Sequence, residues 1–145
     1  MSPAGEDRAA ERRTLFRRGL LAAGIFGAAA VVLGAWGAHG LETWLVAAGV
    51  EVERIDARLD QFDVAARYHL VHAAVLVGLA AVSDRIAPIA SRWIGRLMIA
   101  GIVLFSGSLY LLVITDTPWL GAITPLGGLA WIIAWSALGI AAWRG

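Results

Sequence analysis

The side chains best equipped for chemistry in this chain are its three histidines, His39, His69 and His72. His69 and His72 stand three apart, which puts both on one face of a helix. Joined by His39, they could give three imidazoles and an open position, the arrangement that suits zinc, or a proton relay. One such pair plus a distant third matches no known ligand spacing, so no metal and no cofactor is expected. Cysteine is absent, which excludes disulfides, thiolate catalysis and cysteine-ligated zinc or iron–sulfur sites. No Ser-His-Asp spacing, phosphate loop or paired buried carboxylate occurs, so no catalytic residue is assigned and the chain reads as a non-enzyme.

The elements that hold these residues follow from where charge is allowed. The chain has 145 residues, room for one domain, of which 59% are apolar and 16% charged. Its mean hydropathy of +0.73 is far from that of a soluble protein. The charges lie almost wholly in the gaps between long uncharged runs, as a bilayer demands, because a mid-membrane charge costs roughly 2.5–3.5 kcal/mol on insertion scales. The net charge of +1 gives no sign of nucleic-acid binding. All 12 basic residues are Arg, which has no evident physical reason.

Residues 1–18 form a basic tail holding Arg8, Arg12, Arg13, Arg17 and Arg18, and residues 19–145 a single membrane domain. The run 19–38 is uncharged and, at about 1.5 Å per residue, long enough to span a hydrocarbon core of about 30 Å. Arg12-Arg13-Thr14-Leu15-Phe16 has a trace of a twin-arginine export signal, but the apolar run exceeds a signal core and further spans follow. In the polar connection that comes next, Val52, Ile55, Leu59 and Phe62 draw one apolar stripe. This predicts an amphipathic connecting helix over about 51–61, lying at the membrane surface or packed on the bundle. The second span, about 62–83, reaches full length only with Asp63 and Arg67 at the interface; a re-entrant segment is the alternative. The third runs about 93–115. Thr124-Pro125 reads as an N-cap with proline at the first helical position, opening a fourth span at 125–143. The expected fold is therefore all-α, a membrane four-helix bundle.

Arginine sets the orientation. The tail has five, the turn after the second span has Arg85, Arg92 and Arg96, and the C-terminal end has Arg144. Only Arg54, Arg58 and Arg67 fall on the other side. Nine against three predicts both termini in the cytoplasm. Trp36, Trp44 and Trp119 then lie at outer boundaries, Trp93 and Trp143 at inner ones, as interfacial indoles should. Trp131 and Trp135, one turn apart mid-span, read as packing on one face. Gly24 with Ala28, Ala30 with Gly34, Ser106-Gly107-Ser108, and Gly127-Gly128 with Ala130 and Ala134 are the small residues expected to let helices approach.

Depth and orientation together give a candidate polar cluster: His39, Glu42, Arg67, Tyr68, His72, Ser106, Ser108, Tyr110 and Thr124. All fall in the outer half of the bundle, while the inner half is almost wholly apolar. Ionisable groups in a membrane are costly and suggest a polar pocket open outward. The plainer reading is that they satisfy one another, Arg67 with Glu42 or Asp63 and the serines with helix carbonyls.

Four motifs stand in order along the chain. These are Gly34-Ala35-Trp36-Gly37-Ala38-His39-Gly40-Leu41, then Phe62 with Ala66-Arg67-Tyr68 and His72-Ala73. Leu104-Phe105-Ser106-Gly107-Ser108-Leu109-Tyr110 and Gly121-Ala122-Ile123-Thr124-Pro125-Leu126-Gly127-Gly128 follow. Together they resemble the YgdD-like family of small integral membrane proteins, domain of unknown function 423. The resemblance covers roughly Gly19 to Trp143 and implies a multi-pass protein of the inner (plasma) membrane with no agreed activity. Family members usually carry Gln where His69 stands, which leaves His39 and His72 as the better shared candidates. The expected role is a non-enzymatic structural or accessory component whose partners are the lipid bilayer and a second copy or another membrane protein. A carrier or binder of a small molecule, ion or proton, using the outward cluster, is the alternative.

Overall fold

A computed structural model describes residues 3–144. Met1, Ser2 and Gly145, and the side chains of Pro3, Ala4 and Arg8, lie outside the described residues, and with them part of the expected 1–18 tail. Every regular element is helical: α1 (Pro3–His39), α2 (Leu41–Ala47), α3 (Val52–Ala81), α4 (Pro88–Gly101), a π-helical turn (Ile102–Ser106), α5 (Gly107–Thr115), a 3₁₀ turn (Pro118–Ala122) and α6 (Thr124–Arg144). The segments Gly5–His39, Val52–Ala81, Pro88–Thr115 and Pro118–Arg144 are each long and apolar enough to cross a membrane. The chain is thus a four-helix membrane bundle in which α4, the π turn and α5 make one span.

The helices associate where side chains are small, because lipid gives apolar side chains no reason to seek one another. α1 lies along α3 through Gly19, Ala23, Phe26, Ala30, Leu33 and Gly37, alternating steps of four and three that keep one seam facing a partner helix. A Cβ on Gly19 would sit 2.9 Å from Ala80 Cβ, and one on Gly37 2.8 Å from Phe62, so both helices approach where only glycine fits. This corrects part of the expected packing. Gly24 and Ala28 are exposed, and a Cβ on Gly24 or Gly34 would meet nothing, because they sit off the register of that seam. Ala30, Ser106, Ser108, Gly127, Ala130 and Ala134 are buried, as expected.

Two apolar cores fill the bundle. One gathers Ala23, Leu76, Leu79, Ile94, Met98, Ile102, Trp131 and Ala134. The other gathers Leu41, Leu45, Ile55, Phe62, Ala65, Tyr110, Leu112 and Val113 near the opposite end. The short α2 belongs to the second core. Its Leu41 and Leu45, one turn apart, are fully buried. Gly49, at φ +78°, makes the reversal from α2 into α3 that a side chain would strain. Residues 51–61 are no separate connecting helix, since α3 runs unbroken from Val52. Their stripe turns Ile55 and Phe62 into the core, while Val52 stays 77% exposed.

The basic tail is the opening stretch of α1 and docks on the α3–α4 turn. Glu11 pairs with Arg92, and Arg12 donates to the Asp84 carbonyl. Arg85 and Arg144 line one recess with Ile86, Ala90 and Ala137. The segments holding Arg12, Arg85, Arg92 and Arg144 therefore gather at one end of the bundle, and α2, the start of α3 with Arg54 and Arg58, and Asp116 at the other.

Candidate functional site

At the end away from the arginine-rich tail the sequence places charges that must find partners. Arg54 and Arg58, one turn apart at the start of α3, both reach Asp116. Arg54 grips the carboxylate with two bonds, Nη2 at 2.6 Å and Nη1 at 3.1 Å. Arg58, almost wholly buried, donates to the same carboxylate and to Gln61 Oε1 at 2.9 Å. Asp116 ends α5 in a left-handed conformation, φ 46° and ψ 45°, which Asp tolerates better than most residues. Burial would raise its pKa. The hydrogen bonds and charges of Arg58 and Arg54 outweigh that and hold the carboxyl below its ordinary value. None of these three residues was in the sequence-derived cluster, because nothing local in the chain links positions 54 and 58 to 116.

The nine cluster residues divide by depth. His39 and Glu42 line a recess of about 370 Å³ with Asp60 and Asp63 on the exposed rim. Arg67 pairs with Asp63 at 2.6 Å, one turn away, with both side chains more than half exposed. This is one of the two partners expected for it.

Of the remaining residues His72, Ser106, Ser108 and Tyr110 are buried, Thr124 is half-buried and Tyr68 is exposed. His72 Nδ1 lies 2.8 Å from the Tyr68 carbonyl, which can only accept, so Nδ1 carries the proton. The imidazole stacks on the Trp131 indole with centroids 3.6 Å apart and planes 6° off parallel. Tyr68 lies over Phe105 at 5.0 Å and alongside Trp131 at 5.8 Å. The indole Nε1 donates to the Met98 carbonyl at 3.1 Å. It comes this close only because position 101 is glycine: a Cβ there would stand 2.2 Å from that nitrogen. Trp131 is buried but Trp135 is 45% exposed, so the two do not pack on one face as expected. Trp131 turns toward Gly101 and His72, whereas Trp135 looks outward.

Ser108 Oγ donates to the Phe105 carbonyl at 3.0 Å, so Thr124, 2.9 Å away, donates to Ser108. Tyr110 OH faces His69 Nδ1 at 3.4 Å, a long and weak contact. Two buried polar atoms have no hydrogen-bond partner among the described residues: His69 Nε2 and Ser106 Oγ. Among the described residues no group of three His, Asp or Glu could hold a metal ion. No serine or threonine hydroxyl among them is hydrogen-bonded to a histidine.

The comparisons bear on this arrangement. The family described as "Protein of unknown function (DUF423)" matches residues 33–128, from the end of α1 to the first turns of α6. The chain belongs to that family. The match takes in all nine cluster residues, the Arg54–Arg58–Asp116 clamp and the π turn, but ends just short of Trp131. The UPF0382 membrane protein YwdK of Bacillus subtilis is 46% identical over 114 residues, spanning 78% of this chain and 85% of that protein. The UPF0382 membrane protein SSP2132 of Staphylococcus saprophyticus is 38% identical over 115 residues, 79% and 88% of the two chains. A UPF0382 membrane protein of Staphylococcus epidermidis is 41% identical over 112 residues, 77% and 84%. No solved structure matches. A DUF423 protein with four spanning segments, whose relatives are named membrane proteins, is a multi-pass membrane protein.

Proposed function

We propose that this DUF423 protein is a non-enzymatic accessory component of the cell's inner membrane, acting through packing in the bilayer rather than through bond chemistry. The observation that carries this reading is that several of its polar side chains in and around the spans are paired within their own chain. Arg54 and Arg58 hold Asp116, Asp63 holds Arg67, Thr124 holds Ser108, and the Tyr68 carbonyl holds His72. Within the spans, the surface most open to a partner is apolar. Along α1, Leu21, Ile25, Val31 and Val32 are each more than 60% exposed, and no other helix of the chain covers them.

In this reading both termini face the cytoplasm, and the spans lie at about 19–38, 62–83, 93–115 and 125–143. The nine-to-three arginine split supports the orientation, as does the gathering of the tail, the α3–α4 turn and the end of α6 at one end. The partner is a second copy or another membrane protein. Crosslinking in native membranes should trap a defined oligomer or a defined partner. A species that stays strictly monomeric under crosslinking and gentle extraction overturns the reading.

A further inference from the structure

One feature of the bundle is not spent on packing. Between α1 and α5, on the flank of the molecule, runs a groove of about 460 Å³. That is within the range of small-molecule sites, about 300–1,000 Å³. Its walls include Phe26 and Leu33 of α1, Leu104 of the π turn, and Leu111 of α5. Val103 and Leu111, both more than half exposed, stand at its lip, so it opens sideways, where lipid would be. No charged residue lines it.

His69 is part of the groove wall. It is 96% buried, its Nε2 has no partner, and its other nitrogen has only the long contact to Tyr110 OH, which also lines the groove. A buried polar nitrogen without a partner is expensive, and more so where no water can reach it.

We infer that this groove binds a membrane quinone, a neutral lipophile with a ring carbonyl, held by His69 with its tail along the α1–α5 flank. Four observations select this ligand class. The absence of charge in the lining excludes an ionic head group. The sideways opening admits what is already dissolved in lipid. Depth disfavours a phospholipid ester: His69 follows Phe62 by seven residues, about 10 Å of helix, and Phe62 sits edge-on at 5.4 Å from Trp36, whose indole marks the interface. Ester carbonyls stay at that interface. Finally, His69 needs an acceptor if Tyr110 donates to Nδ1, and a donor if Nδ1 donates to Tyr110. A quinone carbonyl meets the first case and the quinol hydroxyl the second. Phe26, edge-on to the imidazole at 5.8 Å, and Tyr110 line the groove beside it, aromatic neighbours for a quinone ring. The inference goes beyond the accessory role and stands without it.

The test is a binding titration of the full chain in lipid nanodiscs with decylubiquinone, a short-tailed benzoquinone. Saturable binding of one quinone per chain is expected. His69→Phe, which keeps a ring but removes both nitrogens, should weaken it about tenfold, the loss of one buried hydrogen bond. His69→Gln, which restores a polar group, should recover most of it. Gly107→Leu should abolish binding: Gly107 lines the groove, and a Cβ there meets only an ordinary contact at 4.0 Å, so a side chain can leave the backbone there without a clash. Methyl decanoate, an ester carbonyl on a similar chain, should not compete. Uptake that never saturates and is equal in all four proteins overturns the inference. Competition by methyl decanoate on equal terms overturns it in favour of ordinary lipid. Binding unchanged in His69→Phe removes the histidine from it and overturns the assigned ligand class.

Discussion

Replacing Gly127 by Ala would set a methyl carbon 2.4 Å from the Phe105 backbone nitrogen, 2.7 Å from its Cβ and 2.8 Å from its Cα. Real Cβ atoms do not come this close to anything, and a backbone atom cannot swing aside as a side-chain tip can. α6 and the π turn would have to part by about an ångström, and they are a main contact of the fourth span with the rest of the bundle. Overpacking a tight interface costs about 1–3 kcal/mol, and a backbone clash belongs at the upper end. Against that, Gly→Ala within a helix gains about 1 kcal/mol. The net expectation is a loss of about 2 kcal/mol. Gly139, on the same helix, is the matched control. A Cβ there meets nothing within 4 Å, so Gly139→Ala keeps the helix gain alone. The two variants should therefore differ by about 3 kcal/mol with opposite signs relative to wild type. Reversible unfolding in mixed micelles, followed by tryptophan fluorescence, reads the difference. If Gly127→Ala proves as stable as Gly139→Ala, α6 does not lie against the π turn as described.

Other outcomes follow from the same geometry. Trp131→Phe removes the donor to the Met98 carbonyl and part of the stack on His72, and should cost about 1–2 kcal/mol in the same assay. Arg67→Ala should shift stability by less than about 0.5 kcal/mol, because its pair with Asp63 is exposed and one turn apart. Asp116→Asn should lower the thermal midpoint at neutral pH. The Asp116 carboxyl is held below its ordinary value, so its contribution is complete above about pH 4, the unfolded-state value. It is lost as pH falls through the lower folded-state value. The gap between wild type and Asp116→Asn should thus be constant from neutrality down to about pH 4 and close below it. A gap that instead widens on acidification contradicts the clamp.

The fold was legible because each span is built on a long run free of charge, with the few charged residues confined to the span ends, as a bilayer requires. The Arg67–Asp63 pair was legible for a local reason: its partners are one helical turn apart. What escaped was non-local or small. α2 is seven residues long, too short to show a period, and is recognised only by Leu41 and Leu45 fitting against α3. The α1–α3 seam uses Gly19 and Gly37 rather than Gly24 and Ala28, a choice made by the partner's shape and not by the spacing of small residues. Arg58 and Asp116 meet across 58 residues of chain. His69 is instructive. Nothing in its spacing sets it apart from His72, yet its burial beside the groove leaves its Nε2 without a partner among the described residues.

The most direct test of the four-span account is residue-by-residue sidedness. The chain has no cysteine, so single cysteines can be placed without a background. Thr43→Cys and Trp119→Cys belong to the end holding α2 and the 3₁₀ turn, and Ala87→Cys and Ala10→Cys to the arginine-rich end. In intact cells a membrane-impermeant maleimide should label the first two and leave the second two untouched until the membrane is opened. Labelling of Ala87→Cys and Trp119→Cys from the same side would mean that the segment between them does not cross, and the bundle as described would be wrong.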